Sequence, residues 1–111
     1  MRALSIRLLY FSATSAGPLL PTDHAVMAGK FVVVEVSDGL LVLFGPPITP
    51  SRVYYHADLI RAAGEPVLEV CGGGHFTQEQ GVWRLYGRSE QFGSCTPALR
   101  RRVHAALRKL N

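Results

Sequence analysis

Lys30-Phe31-Val32-Val33-Val34-Glu35-Val36-Ser37-Asp38-Gly39-Leu40-Leu41-Val42-Leu43-Phe44 holds two apolar runs separated by a turn signal. The first run is rich in β-branched residues and bounded by Gly29 and Ser37-Asp38-Gly39, so it reads as a strand. With Asp38-Gly39 between the runs, the pair reads as a tight β-hairpin. Gly45-Pro46-Pro47 ends the second strand, because proline has no N–H for a ladder.

Working toward the C-terminus, Ile48 to Arg52 is a proline-containing connection, and Tyr54 to Ala63 reads as a helix stopped by Gly64. Tyr55, Leu59 and Ala62 form its expected buried face. Val67 to Cys71 is a strand that runs through Gly72-Gly73-Gly74 and continues over His75-Phe76-Thr77. Gln78 to Gly81 is a polar turn, and Val82-Trp83-Arg84-Leu85-Tyr86 alternates as a half-buried strand. Gly87 to Gly93 is a loop. Thr96-Pro97 supplies an N-cap and a first-turn proline, after which Leu99, Val103, Ala106, Leu107 and Leu110 recur at helical spacing. The order β-β-α-β-β-α predicts an α+β domain, two helices on a mixed, mostly antiparallel sheet. Toward the N-terminus the pattern is weaker. Residues 1–24 read as an extension, with Arg2 to Phe11 as a candidate extra edge strand and Ser12 to Pro21 as loop, and residues 25–111 read as the domain proper.

The 111 residues suffice for one core. A hydrophobic fraction of 48% against 18% charged residues excludes a disordered chain. The net charge of +4 favours anionic partners. Cys71 and Cys95 are too few for a disulfide framework and lack metal-ligand spacing, so they read as reduced thiols in a cytoplasmic protein. Arg7 interrupts the apolar stretch that would make a secretory leader, and no stretch approaches the length of a membrane span.

Chemistry concentrates in three places. His56 opens the first helix, where an imidazole can exchange a proton near neutral pH, or can simply cap the helix. Asp58, two residues on, points elsewhere and reads as a structural cap for the helix rather than a relay partner. The Gly87–Gly93 loop can aim consecutive N–H groups at an anion, or merely connect strand to helix. Gly72-Gly73-Gly74 permits a bulge or a close backbone approach, but lacks the Gly-Lys-Ser/Thr ending of a nucleotide-phosphate loop. Lys30, read at the start of a strand, suits either neutralising an anion or discouraging edge pairing. Arg100-Arg101-Arg102 reads as the solvated face of the last helix, with contact to nucleic acid or an acidic protein as the other use.

Together, Lys30-Phe31-Val32-Val33-Val34, Tyr55-His56-Ala57-Asp58-Leu59, Cys71-Gly72-Gly73-Gly74 and Tyr86-Gly87-x-Ser89-x-x-Phe92-Gly93 resemble the phosphohistidine phosphatase (Janus/ocnus) family, over roughly three quarters of the chain. The resemblance implies a metal-independent phosphatase without a cofactor, acting on a histidine-phosphorylated protein or a small phosphoamidate, with phospholysine as a further substrate. His56 matches the family's catalytic histidine, a general base toward water for which a nucleophilic role has also been considered. Lys30 matches a lysine that contacts the phosphoryl group. Arg88, Ser89, Glu90 and Gln91 fall on the loop whose backbone amides, with the serine, hold phosphate. Three positions depart from the family pattern. His75 stands where better-known members carry arginine. Ile48 replaces another arginine, for which Arg52 is a candidate substitute. Glu90 puts a negative charge on the anion loop. The sequence also ends after the last helix, where family members add a strand. A non-catalytic phosphate-binding module of the same fold is the alternative these departures leave, and a basic-helix binder ranks behind it.

Overall fold

In the computed structural model, which describes residues 5–11, 27–45, 56–80 and 82–109, the chain runs β1 (Ser5–Tyr10), β2 (Met27–Val36), β3 (Gly39–Gly45), α1 (His56–Ala62), β4 (Glu69–Glu79), β5 (Val82–Tyr86) and α2 (Pro97–Arg108). The strands form one mixed sheet in the order β1-β3-β2-β4-β5. Only β1 is parallel to its neighbour β3; the other pairings are antiparallel. The result is one small α+β domain, as its sequence pattern predicts.

The quoted stretch is the centre of this sheet. Phe31 to Val34 and Leu41 to Phe44 are fully buried, because both faces of the hairpin are covered. Alternation along each strand splits the core in two. Phe31, Val33, Val42 and Phe44 pack with Phe76, Trp83, and Val103 and Leu107 of α2. Val32, Val34, Leu41 and Leu43 pack with Leu59 of α1 and with Phe11 on the opposite face. A strand buried on both faces needs an unbroken apolar run, which is how this stretch reads.

Several details differ from the sequence reading. The hairpin turn is Ser37-Asp38, and Gly39 is already in β3 opposite Val36, with φ of +149°, where a Cβ would lie 2.4 Å from the Ser5 carbonyl oxygen of β1. Ala62 is exposed; Ala63, one helical turn beyond Leu59, packs against the core with Ile60 instead. β4 starts at Glu69 rather than Val67, and Leu68 is 66% exposed. Glu79 remains in β4, so the β4–β5 turn is shorter than the expected Gln78 to Gly81. β2 begins at Met27, which puts Lys30 inside a central strand between Gly45 and His75, not at a strand end guarding an edge. Asp58 stands in the first turn of α1, where a carboxylate suits the structural capping role read for it, and also pairs with Arg61. The readings of Ser12 to Pro21, Pro46 to Arg52 including Ile48, Tyr54, Tyr55, Gly81 and Leu110 lie outside the described residues. Among the described residues no helix is long and apolar enough to cross a membrane.

Candidate functional site

The triple glycine builds the floor of the site. Opposite the register change between Val33 and Val34, β4 carries Cys71 as an extra residue, so the strand bends as it enters Gly72. β5 ends at Tyr86, opposite His75, and the following loop continues along the edge of β4 that β5 vacates. Gly73 N donates to Gly93 O at 3.0 Å. This approach leaves no room for side chains. A Cβ on Gly72 would lie 2.8 Å from the Ser94 and Cys95 backbone, and one on Gly74 would lie 2.6 Å from Tyr86 O.

His56 closes over this floor from α1. It is buried, and Leu59, one turn on, anchors the helix against Gly45 at the end of β3. His56 Nε2 stands 2.9 Å from Gly74 O. A carbonyl only accepts, so Nε2 carries the proton and Nδ1 keeps its lone pair. Burial lowers the imidazole pKa below its ordinary value; the Gly74 hydrogen bond opposes this, while the nearby Lys30 and His75 charges add to the lowering. The ring is therefore neutral at neutral pH, with Nδ1 as its basic atom.

One row of cross-strand partners crosses the sheet beside it: Gly45, Lys30, His75 and Tyr86. Paired residues share a face, so Lys30 and His75 stand on the α1 side together. The His75 and Tyr86 rings stack at 5.7 Å, and His56 meets His75 edge-on at 6.1 Å.

The loop supplies the remaining wall. Ser89 and Gly93 exchange backbone hydrogen bonds at 3.2 and 2.9 Å, and Phe92 N donates to Ser89 Oγ at 3.1 Å. Gly87 and Gly93 have φ near +70° and +75°, the left-handed conformation that glycine adopts without strain. The N–H groups of Glu90 and Gln91, at the tip, donate to no backbone carbonyl of the described residues. Ser89 is fully buried, its amide spent on closing the loop and its hydroxyl accepting from Phe92; what it retains is the hydroxyl proton.

All seven residues singled out in the sequence line one cavity of about 340 Å³: Lys30 from β2, His56 from α1, His75 from β4, and Arg88, Ser89, Glu90 and Gln91 from the loop. Its chemistry is that of an oxyanion site with an attached base: Lys30 and Arg88 as cations, N–H groups at the loop tip, and a neutral imidazole. Among the described residues Glu90 is the one carboxylate in the lining. Among the described residues no group of three His, Cys, Asp or Glu side chains gathers to hold a metal ion.

Comparison with protein-family models, with curated proteins and with solved structures gives no match for this chain.

Two contributors are not evident from side-chain patterns. Gly74 acts through its carbonyl, for which sequence has no signal beyond the glycine run itself. Arg100 does not belong with the solvated arginines: its Nη2 donates to Gly87 O at 3.1 Å, tying α2 to the start of the loop, while Arg101 and Arg102 are exposed.

Proposed function

We propose that the protein is a phosphoamidate hydrolase, directed at phosphohistidine in a cytoplasmic protein or at a small phosphoamidate. The observation that carries the reading is the neutral His56, fixed through Nε2 to Gly74 and opening into a cavity that also holds Lys30 and the loop tip. The resemblance to the phosphohistidine phosphatases supports it. In this mechanism the phosphoryl group sits against Lys30, Arg88 and the N–H groups of Glu90 and Gln91. His56 Nδ1 takes a proton from water as the water oxygen bonds to phosphorus. The P–N bond breaks, its electron pair goes to the leaving nitrogen, and that nitrogen takes up a proton. Such a transfer depends on positioning and charge stabilisation, which a preorganised cavity provides.

Glu90 in the lining and His75 in place of a fixed cation favour a second reading, a phosphate-binding module without turnover. One experiment separates them: hydrolysis of a phosphohistidine-bearing protein and of phosphoramidate, with chelator present, by wild type and His56→Ala, with the fold of both checked by circular dichroism. Turnover by wild type that disappears in His56→Ala supports the hydrolase. Turnover that persists in the variant overturns His56 as the base. Saturable phosphate binding without wild-type turnover leaves the binding module.

A further inference from the structure

The Gly87–Gly93 loop has a second side. There lies a shallow cavity of about 490 Å³, lined by Gly87, Arg88, Ser94, Cys95, Pro97 and Arg100. Arg88 is common to the two cavities, but the charge balance differs. The His56 cavity includes Glu90, whereas among the described residues this one has two guanidinium groups and no carboxylate in its lining. The charge does not come from the end of α2, whose Leu99 N–H is already capped by Thr96 Oγ1 at 3.1 Å.

Arg100 is the telling residue. Its Nη2 bond to Gly87 O sets the guanidinium beneath the loop, and its Nε is buried without a hydrogen-bond partner among the described residues. A donor withdrawn from water and left unpaired costs free energy that an acceptor at that position would recover. Among acceptors, a planar or tetrahedral oxyanion matches an arginine fork best, and a neighbouring second arginine favours it further. We infer that this cavity is a second oxyanion site, distinct from the His56 cavity and joined to it through Arg88. It takes a carboxylate or phosphate group held by Arg100 and Arg88. The oxyanion site stands without the hydrolase reading; only its use in choosing substrates rests on that reading, in which the occupant is either an acidic side chain of the phosphorylated protein or phosphate itself.

The test is an NMR titration of the full chain at constant ionic strength, following backbone amides and the Arg100 Nε–H resonance. That resonance is assigned by its loss in Arg100→Lys. Two probes are used separately: inorganic phosphate, and a capped glutamate tripeptide with its glutamine counterpart as control. The expected result is a saturable shift of Arg100 Nε–H and of the Ser94 and Cys95 amides, in wild type and equally in His56→Ala, with affinity reduced about five-fold or more in Arg100→Lys. A response to phosphate alone identifies phosphate as the occupant; a response to the glutamate peptide but not to the glutamine one identifies an acidic side chain. An Arg100 Nε–H that stays fixed with both probes overturns the proposal. If the Glu90 and Gln91 amides then move with phosphate, the first cavity's reading survives that failure. If only the Arg100 group moves, the proposal stands and the first cavity is the one that fails.

Discussion

His56 Nε2 and Gly74 O, 2.9 Å apart, join the first residue of α1 to the last glycine of the triple-glycine run in β4. The bond sets the tautomer, and burial sets the charge. If the protein is the hydrolase proposed, protonation of Nδ1 would remove the base, and kcat/KM should rise with pH through a midpoint below the ordinary histidine value of about 6.5. A pH–rate profile measures it, and a His56 titration followed by NMR should give the same midpoint. A midpoint well above the ordinary value would contradict the placement.

The same shift is a statement about stability. His56 is harder to protonate in the folded chain than in the unfolded one, and so is His104, which burial and the nearby Arg108 and Arg100 hold below the ordinary range. Below the unfolded-state value of about 6.5 the unfolded chain binds more protons than the folded one. The stability contributed by these neutral rings is complete above that pH and declines as pH falls toward the folded-state values. Urea midpoints should therefore decrease from neutral pH into this range, and less so in a His104→Gln variant.

Gly73 is where fold and chemistry meet most closely. A Cβ there would lie 2.6 Å from Phe31 O and 2.9 Å from His56 Cδ2. Gly73→Ala should destabilise the domain by about 1–3 kcal/mol and displace the imidazole. Under the proposed hydrolase reading, turnover should then fall further than the loss of folded protein explains, which activity assays well below the urea transition would reveal.

Glu90 opposes the anion that the rest of its cavity attracts. Glu90→Gln removes one negative charge from the lining without changing the loop's shape, so phosphate should bind about two- to ten-fold more tightly. Calorimetric titration would show it, and the gain should shrink with added salt. Unchanged binding would mean that the carboxylate points into solvent.

Leu59 has no exposed surface and anchors the helix that carries His56. Leu59→Ala should cost about 2–5 kcal/mol in urea unfolding. The thiols give a gentler probe. Burial raises both, Cys95 to about 11, so at a pH of about 7.5 iodoacetamide should label neither rapidly until the chain is denatured.

What could be read in advance follows the range of the interaction. The hairpin, the capped final helix and the half-buried β5 each depend on residues within a few positions of one another, and each is legible in the sequence. Thr96 Oγ1 caps Leu99 N as the Thr-Pro pair suggests. The convergence of Lys30, His56, His75 and the loop was legible only through the resemblance, since nothing local says that these segments meet. Arg100 departs from its sequence reading for the converse reason: helical periodicity assigns it to the polar face, and only the returning loop brings Gly87 O within its reach. The parallel seating of β1 beside β3 was out of reach altogether, because an edge strand's partner is set by the shape of the finished sheet.

That seating also orders events in time. Ser5 lies opposite Gly39, so β1 cannot take its place beside β3 until the hairpin that carries β3 has formed. Parallel pairing offers it no local turn to shorten the search. The hairpin should therefore form before β1 docks on it, and the β1 amides should lose their hydrogen-exchange protection before those of β2 and β3.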